Sequence, residues 1–89
     1  MALMNELNFQ LNGIIQMRWE KNELFVEIEN ATSADGLGDI WAVKWHLDLN
    51  DFPVGLFRHQ VRKSDYEGFA KLRQAISVWA TSNGYEMKR

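Results

Sequence analysis

Apolar residues recur at every second position through most of the chain and then change to a spacing of three and four. Leu7, Phe9 and Leu11 form a first alternating run, Ile15, Met17 and Trp19 a second, and Leu24, Val26 and Ile28 a third. Trp41, Val43, Trp45, Leu47 and Leu49 form the fourth and clearest, alternating with Ala42, Lys44, His46 and Asp48. A period of two means that one face of a strand is buried and the other is wet. A fifth strand is expected over 56–63, with Phe57 and Val61 inward, after the Asn50-Asp51-Phe52-Pro53 turn, whose Pro53 cannot donate to a ladder.

The residues between the runs predict how they connect. Asn12-Gly13 tolerates positive φ and predicts a first hairpin with a three-residue loop and a bulge. Lys21-Asn22 predicts a second, in which Glu20 faces Glu23, Trp19 faces Leu24, Met17 faces Val26 and Ile15 faces Ile28. A looser connection is expected over 31–38.

Ser64 followed by Glu67 reads as a capping box, with Asp65 complementing the helix dipole, so a helix should begin at about Asp65 and stop at Asn83-Gly84. Phe69, Leu72, Ile76, Trp79 and Ala80 make one stripe on it, with Tyr66 at the margin, and Glu67 pairs with Lys71 on the other side. Gly68 costs such a helix about 1 kcal/mol relative to Ala unless it admits close approach to the sheet. The stripe needs a surface to cover, and the inner face of the sheet is the one available. The expected fold is α+β in two layers: an antiparallel β-meander of four to five strands with one C-terminal α-helix packed on one face, forming a single domain over 1–89.

Composition narrows the classes of function. An apolar fraction of 46%, with four Trp and five Phe, suffices for one core and disfavours disorder. There is no Cys, so neither disulfides nor thiolate chemistry enter, which fits a reducing compartment and an expected cytoplasmic location. No stretch approaches the roughly 20 apolar residues of a membrane helix. Residues 1–51 carry nine acids against three bases, and residues 52–89 carry seven bases against three acids, so the net charge of −2 conceals two halves of opposite sign. Such polarity steers a partner or holds the halves together.

Candidate chemistry is sparse. His46 and Asp48 share one side of a strand and could begin a metal site, but two donors are short of a ligand set, and with Ile28 facing Trp41 a pairing of His46 with Glu23 accounts for the histidine. His59 falls on the inward side with Phe57 and Val61, Ser64 caps the helix and Ser77 lies on its flank, so no nucleophile–base pair is assembled. Glu27 and Glu29 read as solvated acids of an outer strand face. Asp35-Gly36-Leu37-Gly38 lacks the Lys and Ser/Thr of a phosphate loop. The four Trp fall on inward positions and read as core. No catalytic residue, metal or cofactor is therefore expected.

Surface is what remains. Besides its acids, the outer face is expected to carry Ile14, Phe25, Ile40 and Ala42, with Phe25 beside Lys44 and Ile40 opposite Glu29, an apolar island with a charged rim. The expected function is that of a small non-enzymatic interaction module, of the adaptor, inhibitor or immunity type, binding a protein partner or itself through this face and an exposed edge. Phe25 would be the anchor, with Ile40, Lys44 and His46 orienting the contact. The alternative is nucleic-acid binding through a basic edge at Arg58, Arg62 and Lys63, with Arg73, Lys88 and Arg89 nearby.

Overall fold

In the computed structural model, which describes residues 2–4, 10–32, 38–48, 50, 53 and 60–88 (side chains from Ile14 onward), β-structure dominates. The strands are β1 (Ala2–Met4), β2 (Gln10–Lys21), β3 (Leu24–Thr32), β4 (Asp39–Asp48), β5 (Gln60–Arg62) and β6 (Glu86–Lys88), with helix α1 (Tyr66–Ser82) preceding the last. All pairs are antiparallel, in the order β1, β4, β3, β2, β6, and β5 lies on β4. The meander β2 to β5 is the expected one. The three-residue strands β1 and β6, which close its two sides, carry too little periodicity to be seen in the sequence.

The inner face has the composition that the alternation predicts. Trp19, Val26, Ile28, Val43, Trp45, Leu47 and Val61 are buried together with Leu72, Ile76 and Ala80 of α1, so the helix roofs one side of the sheet. Met17, Leu24, Trp41, Phe69 and Trp79 pack around this cluster. Trp41 meets Phe69 with ring centroids 5.4 Å apart, fastening the start of the helix to β4. The buried positions of α1 are Gly68, Leu72, Ile76 and Ala80, one every four residues, and Glu67 pairs with Lys71 at 3.1 Å on the exposed side.

The helix ends are settled by specific hydrogen bonds. Asp65, not Ser64, is the N-cap: its Oδ1 accepts from the Gly68 amide at 2.8 Å. Asp and Ser are equivalent caps on sequence grounds, and a shift of one residue places the better acceptor over the first turn. At the other end the Tyr85 amide donates to the Ala80 carbonyl (2.9 Å) and the Gly84 amide to that of Thr81 (3.3 Å), with Gly84 at φ 81. This is a Schellman closure, and Tyr85 completes it by packing 4.9 Å from Trp79.

Three connections differ from expectation. Asn12-Gly13 makes no hairpin: β2 runs straight through it, pairing Leu11 with Ala31 and Ile15 with Glu29, so the extra residues are absorbed as an irregularity in the ladder. The expected strand over 7–11 falls mostly outside the described residues. The second turn is Asn22-Glu23, with Asn22 at φ 56, and it brings Lys21 opposite Leu24 and Trp19 opposite Val26. That register is two residues from the expected one, as is β3 on β4, where Ile28 faces Val43. A slip of two preserves which side chains face inward, which is why the faces were legible when the pairs were not. A second shift between Ile15 and Met17 does change the side, and Ile15, expected opposite Ile28 in the core, is exposed. Of the expected fifth strand, residues 60–62 form it, with Val61 buried, and 54–59 lie outside the described residues.

Candidate functional site

The outer face of the sheet is where structure and expectation part most. Down its centre the cross-strand pairs of β3 and β4 are Phe25 with His46, Glu27 with Lys44, Glu29 with Ala42, and Ala31 with Ile40. Ala31, Ile40 and Ala42 form a second buried cluster, and Glu27 and Glu29 are only 2% and 4% exposed. Half of the expected apolar island is therefore closed to water: Ile40, expected on a contact surface opposite Glu29, lies buried against Ala31 and Ala42, whereas Ile14 is exposed and Phe25 is half-buried. Glu27 and Glu29 are likewise not solvated acids. Alternation reports which face a residue occupies and not what else covers that face.

Phe25, Lys44 and His46 are brought together. The Phe25 ring is half-buried, with the Arg18 guanidinium 4.3 Å and the Lys44 ammonium 5.9 Å from its centroid and the His46 ring stacked 6.2 Å away at 22°. His46 faces Phe25 and not Glu23, and its buried Nδ1 has no hydrogen-bond partner among the described residues. Among those residues no group of three or more His, Cys, Asp or Glu is placed to hold a metal ion, so His46 and Asp48 gain no third donor there.

Beside this corner lies an ionic network that the sequence did not announce. Arg18 Nη1 donates to Glu27 Oε2 at 2.5 Å and Arg18 Nε to Glu20 Oε1 at 2.6 Å. Burial opposes the Arg18 charge, and the hydrogen bonds to Glu20 and Glu27 outweigh it, raising the guanidinium above its ordinary value. Glu29 is flanked by Ile15 on β2 and Ala42 on β4, neither of which offers a polar side chain. Burial, then a hydrogen bond to Glu27 and the charge of Glu27, push its carboxyl up to about 7 against the opposing pull of Lys44 and Arg18. The cue in the sequence is weak: two acids at i and i+2 on a strand whose outward neighbours are otherwise apolar.

Among the described residues the exposed large apolar side chains are Tyr66 and Val78 on α1, Met87 on β6 and an adjacent pair on β2. Ile14 and Ile15 are 61% and 50% exposed, adjacent, and placed between the two ladder irregularities. They fall in residues 7–17, eleven consecutive positions without a charge. Edge strands normally carry charge against unwanted pairing. Among the described residues β6 pairs with Arg18, Trp19 and Glu20 alone, and the ladder irregularities fall along the rest of β2.

Part of the expected basic edge falls within the described residues. Arg58 and Arg89 lie outside the described residues, Arg62 is exposed on β5, and the Lys63 ammonium sits 4.4 Å over the Trp41 ring. Trp19 and Trp45 are buried, and Trp41 and Trp79 are partly so, which leaves no row of open indole faces among them. A polar recess of ≈ 320 Å³ between Glu20, Lys21, Asn22, Gly84, Glu86 and Lys88 mixes both charge signs, with Lys88 and Glu86 3.5 Å apart. No helix among the described residues is long and apolar enough to cross a membrane. The chain matches no family model, no curated protein and no solved structure.

Proposed function

We propose that this chain is a non-enzymatic protein-interaction module that binds a second protein, or a second copy of itself, through β2. The observation that carries the reading is the pair Ile14 and Ile15, exposed side by side on an irregular strand within an uncharged stretch. Burying what remains exposed of these two side chains contributes about 1–2 kcal/mol each, a favourable anchor for a small interface. A bulge re-aims side chains that regular pairing would turn inward, which is a common way for a strand to present contact residues. Phe25, Lys44 and His46 occupy the far end of the same face and suit a polar rim.

The test is a double substitution, Ile14→Asp with Ile15→Asp. Both side chains face water, so the melting temperature should hold while association is lost. Light scattering after size exclusion reads self-association, and affinity capture from the native host with wild-type and variant baits reads a heterologous partner. Identical masses and identical captured proteins for the two baits would refute the assignment.

A further inference from the structure

β6 is held to β2 against its own charges. The register sets Arg18 opposite Lys88, Trp19 opposite Met87 and Glu20 opposite Glu86, so both charged pairs across this seam are of like sign. Like charges directly opposite one another destabilise a pair of strands. Each strand neutralises itself instead: Arg18 Nε donates to Glu20 at 2.6 Å, and Lys88 Nζ lies 3.5 Å from Glu86. The two ion pairs therefore stand side by side as parallel dipoles, which repel, whereas the reverse order of charges on β6 would make them attract. Packing adds little. β6 is three residues long and all three are exposed, Met87 included, although it lies opposite the buried Trp19. The polar recess lined by Glu20, Lys21, Asn22, Gly84, Glu86 and Lys88 opens at the same seam.

We propose that β6 is a replaceable cover on β2, and that its replacement is an extended segment of a second protein in which a basic, a large apolar and an acidic residue follow in that order. Laid antiparallel on β2 in place of β6, such a segment sets its base opposite Glu20 and its acid opposite Arg18. Its apolar side chain lies beside Trp19 and fills the position that Met87 leaves open. The ladder of β2 with β3 is regular from Met17 to Lys21, so the edge offered there is even. Departure of β6 leaves the helix end closed, because the Tyr85 amide stays on the Ala80 carbonyl and its ring stays against Trp79. A second copy of this chain fits less well: its own triplet of this kind, Arg18-Trp19-Glu20, has its arginine already bonded to Glu20 and Glu27. The inference rests on β2 as the contact strand, proposed above, and adds what the partner brings to it.

Two synthetic peptides of about seven residues test it, one with Lys-Val-Glu at its centre and one with Glu-Val-Lys, each flanked by Thr and Ser, so that only the order of charges differs. Followed by NMR on the whole chain, the Lys-Val-Glu peptide should shift the amides of residues 17–21 and release those of 86–88. The Glu-Val-Lys peptide should bind about tenfold more weakly or worse. Glu86→Lys with Lys88→Glu makes both cross-strand pairs attractive at unchanged net charge. Hydrogen exchange of its β6 amides should slow by about tenfold, and the Lys-Val-Glu peptide should bind it about tenfold more weakly than wild type. Equal binding of the two peptides, binding of neither, shifts confined to other strands, or unchanged exchange in the charge-reversed variant would each overturn the proposal. Self-association of the wild-type chain that releases β6 with no peptide present would overturn it too, by making a second copy the occupant. The Ile14→Asp, Ile15→Asp variant should bind the peptide as wild type does. Loss of capture in that variant with no peptide binding refutes the replacement of β6 alone, and peptide binding with unchanged capture refutes the isoleucine contact alone.

Discussion

Arg18 and Glu27 face one another across the β2 and β3 ladder, joined by a 2.5 Å hydrogen bond in which the glutamate side chain is 3% exposed and the arginine 31%. The same guanidinium reaches Glu20, whose side chain is 34% exposed, and lies over Phe25. One side chain thus ties β2 to the centre of the sheet at the point where the regular ladder gives way to the irregular one.

The two ends of this network should differ in worth. Arg18→Ala strands a buried carboxylate and should cost about 3 kcal/mol or more, whereas Glu20→Ala removes a contact in partial solvent and should cost less than about 1 kcal/mol. Replacing both Arg18 and Glu27 by Met should recover only part of the loss, since an apolar pair needs no desolvation but Glu29 loses its neighbour. Urea midpoints of the variants check the order. Equal losses for Arg18→Ala and Glu20→Ala would show that the buried pair is not the stronger link.

The inner face was legible in the sequence because burial there follows from a period of two in strands and a spacing of four in α1, and both survive a register error of two. Trp19, Val26, Ile28, Val43, Trp45 and Leu47 all lie where alternation puts them. The outer face was not legible. The pattern puts Ile40, Glu27 and Glu29 on the outer face without recording that they are buried there, and Ile15 changed sides because the ladder shifts beside it. Asn12-Gly13 misled for a related reason: residues that accept a tight turn also accept a bulge, and only the pairing of β2 with β3 distinguishes the two.

The start of the helix offers a test between two adjacent caps. Asp65→Ala should cost about 1 kcal/mol, because the Gly68 amide loses its acceptor, while Ser64→Ala should fall within a few tenths of wild type. Thermal melts of the two variants decide it. A larger loss at Ser64 would restore the capping box.

The helix exit tests backbone conformation in isolation. Gly84 adopts φ 81, and a Cβ placed there would meet nothing within 4 Å, so Gly84→Ala pays only for the left-handed backbone. The expected cost is about 1–2 kcal/mol, and Gly84→Asn should cost less because Asn tolerates that region. The comparison is again a denaturant midpoint. A neutral Gly84→Ala would mean that the closure through Ala80 and Thr81 is not maintained in solution.

Glu29 fixes the direction in which stability should respond to pH. Its folded-state value, about 7, lies above the ordinary 4.5, so between these limits the native state keeps a proton that the unfolded chain has released. Stability from this group is therefore complete below about pH 4.5, falls as pH rises through the window, and is gone above about pH 7. A shift of this size corresponds to at most about 3 kcal/mol, with about 1–3 kcal/mol expected once water penetration is allowed for. Other groups titrate over the same range, and the difference between wild type and Glu29→Gln isolates this one. Urea unfolding at about pH 5 and about pH 8 should find the variant no more stable than wild type at the lower pH and more stable at the higher. A variant less stable at pH 8 would mean that Glu29 is ionised in the folded protein and held by Lys44 and Arg18, reversing the sign of the whole argument.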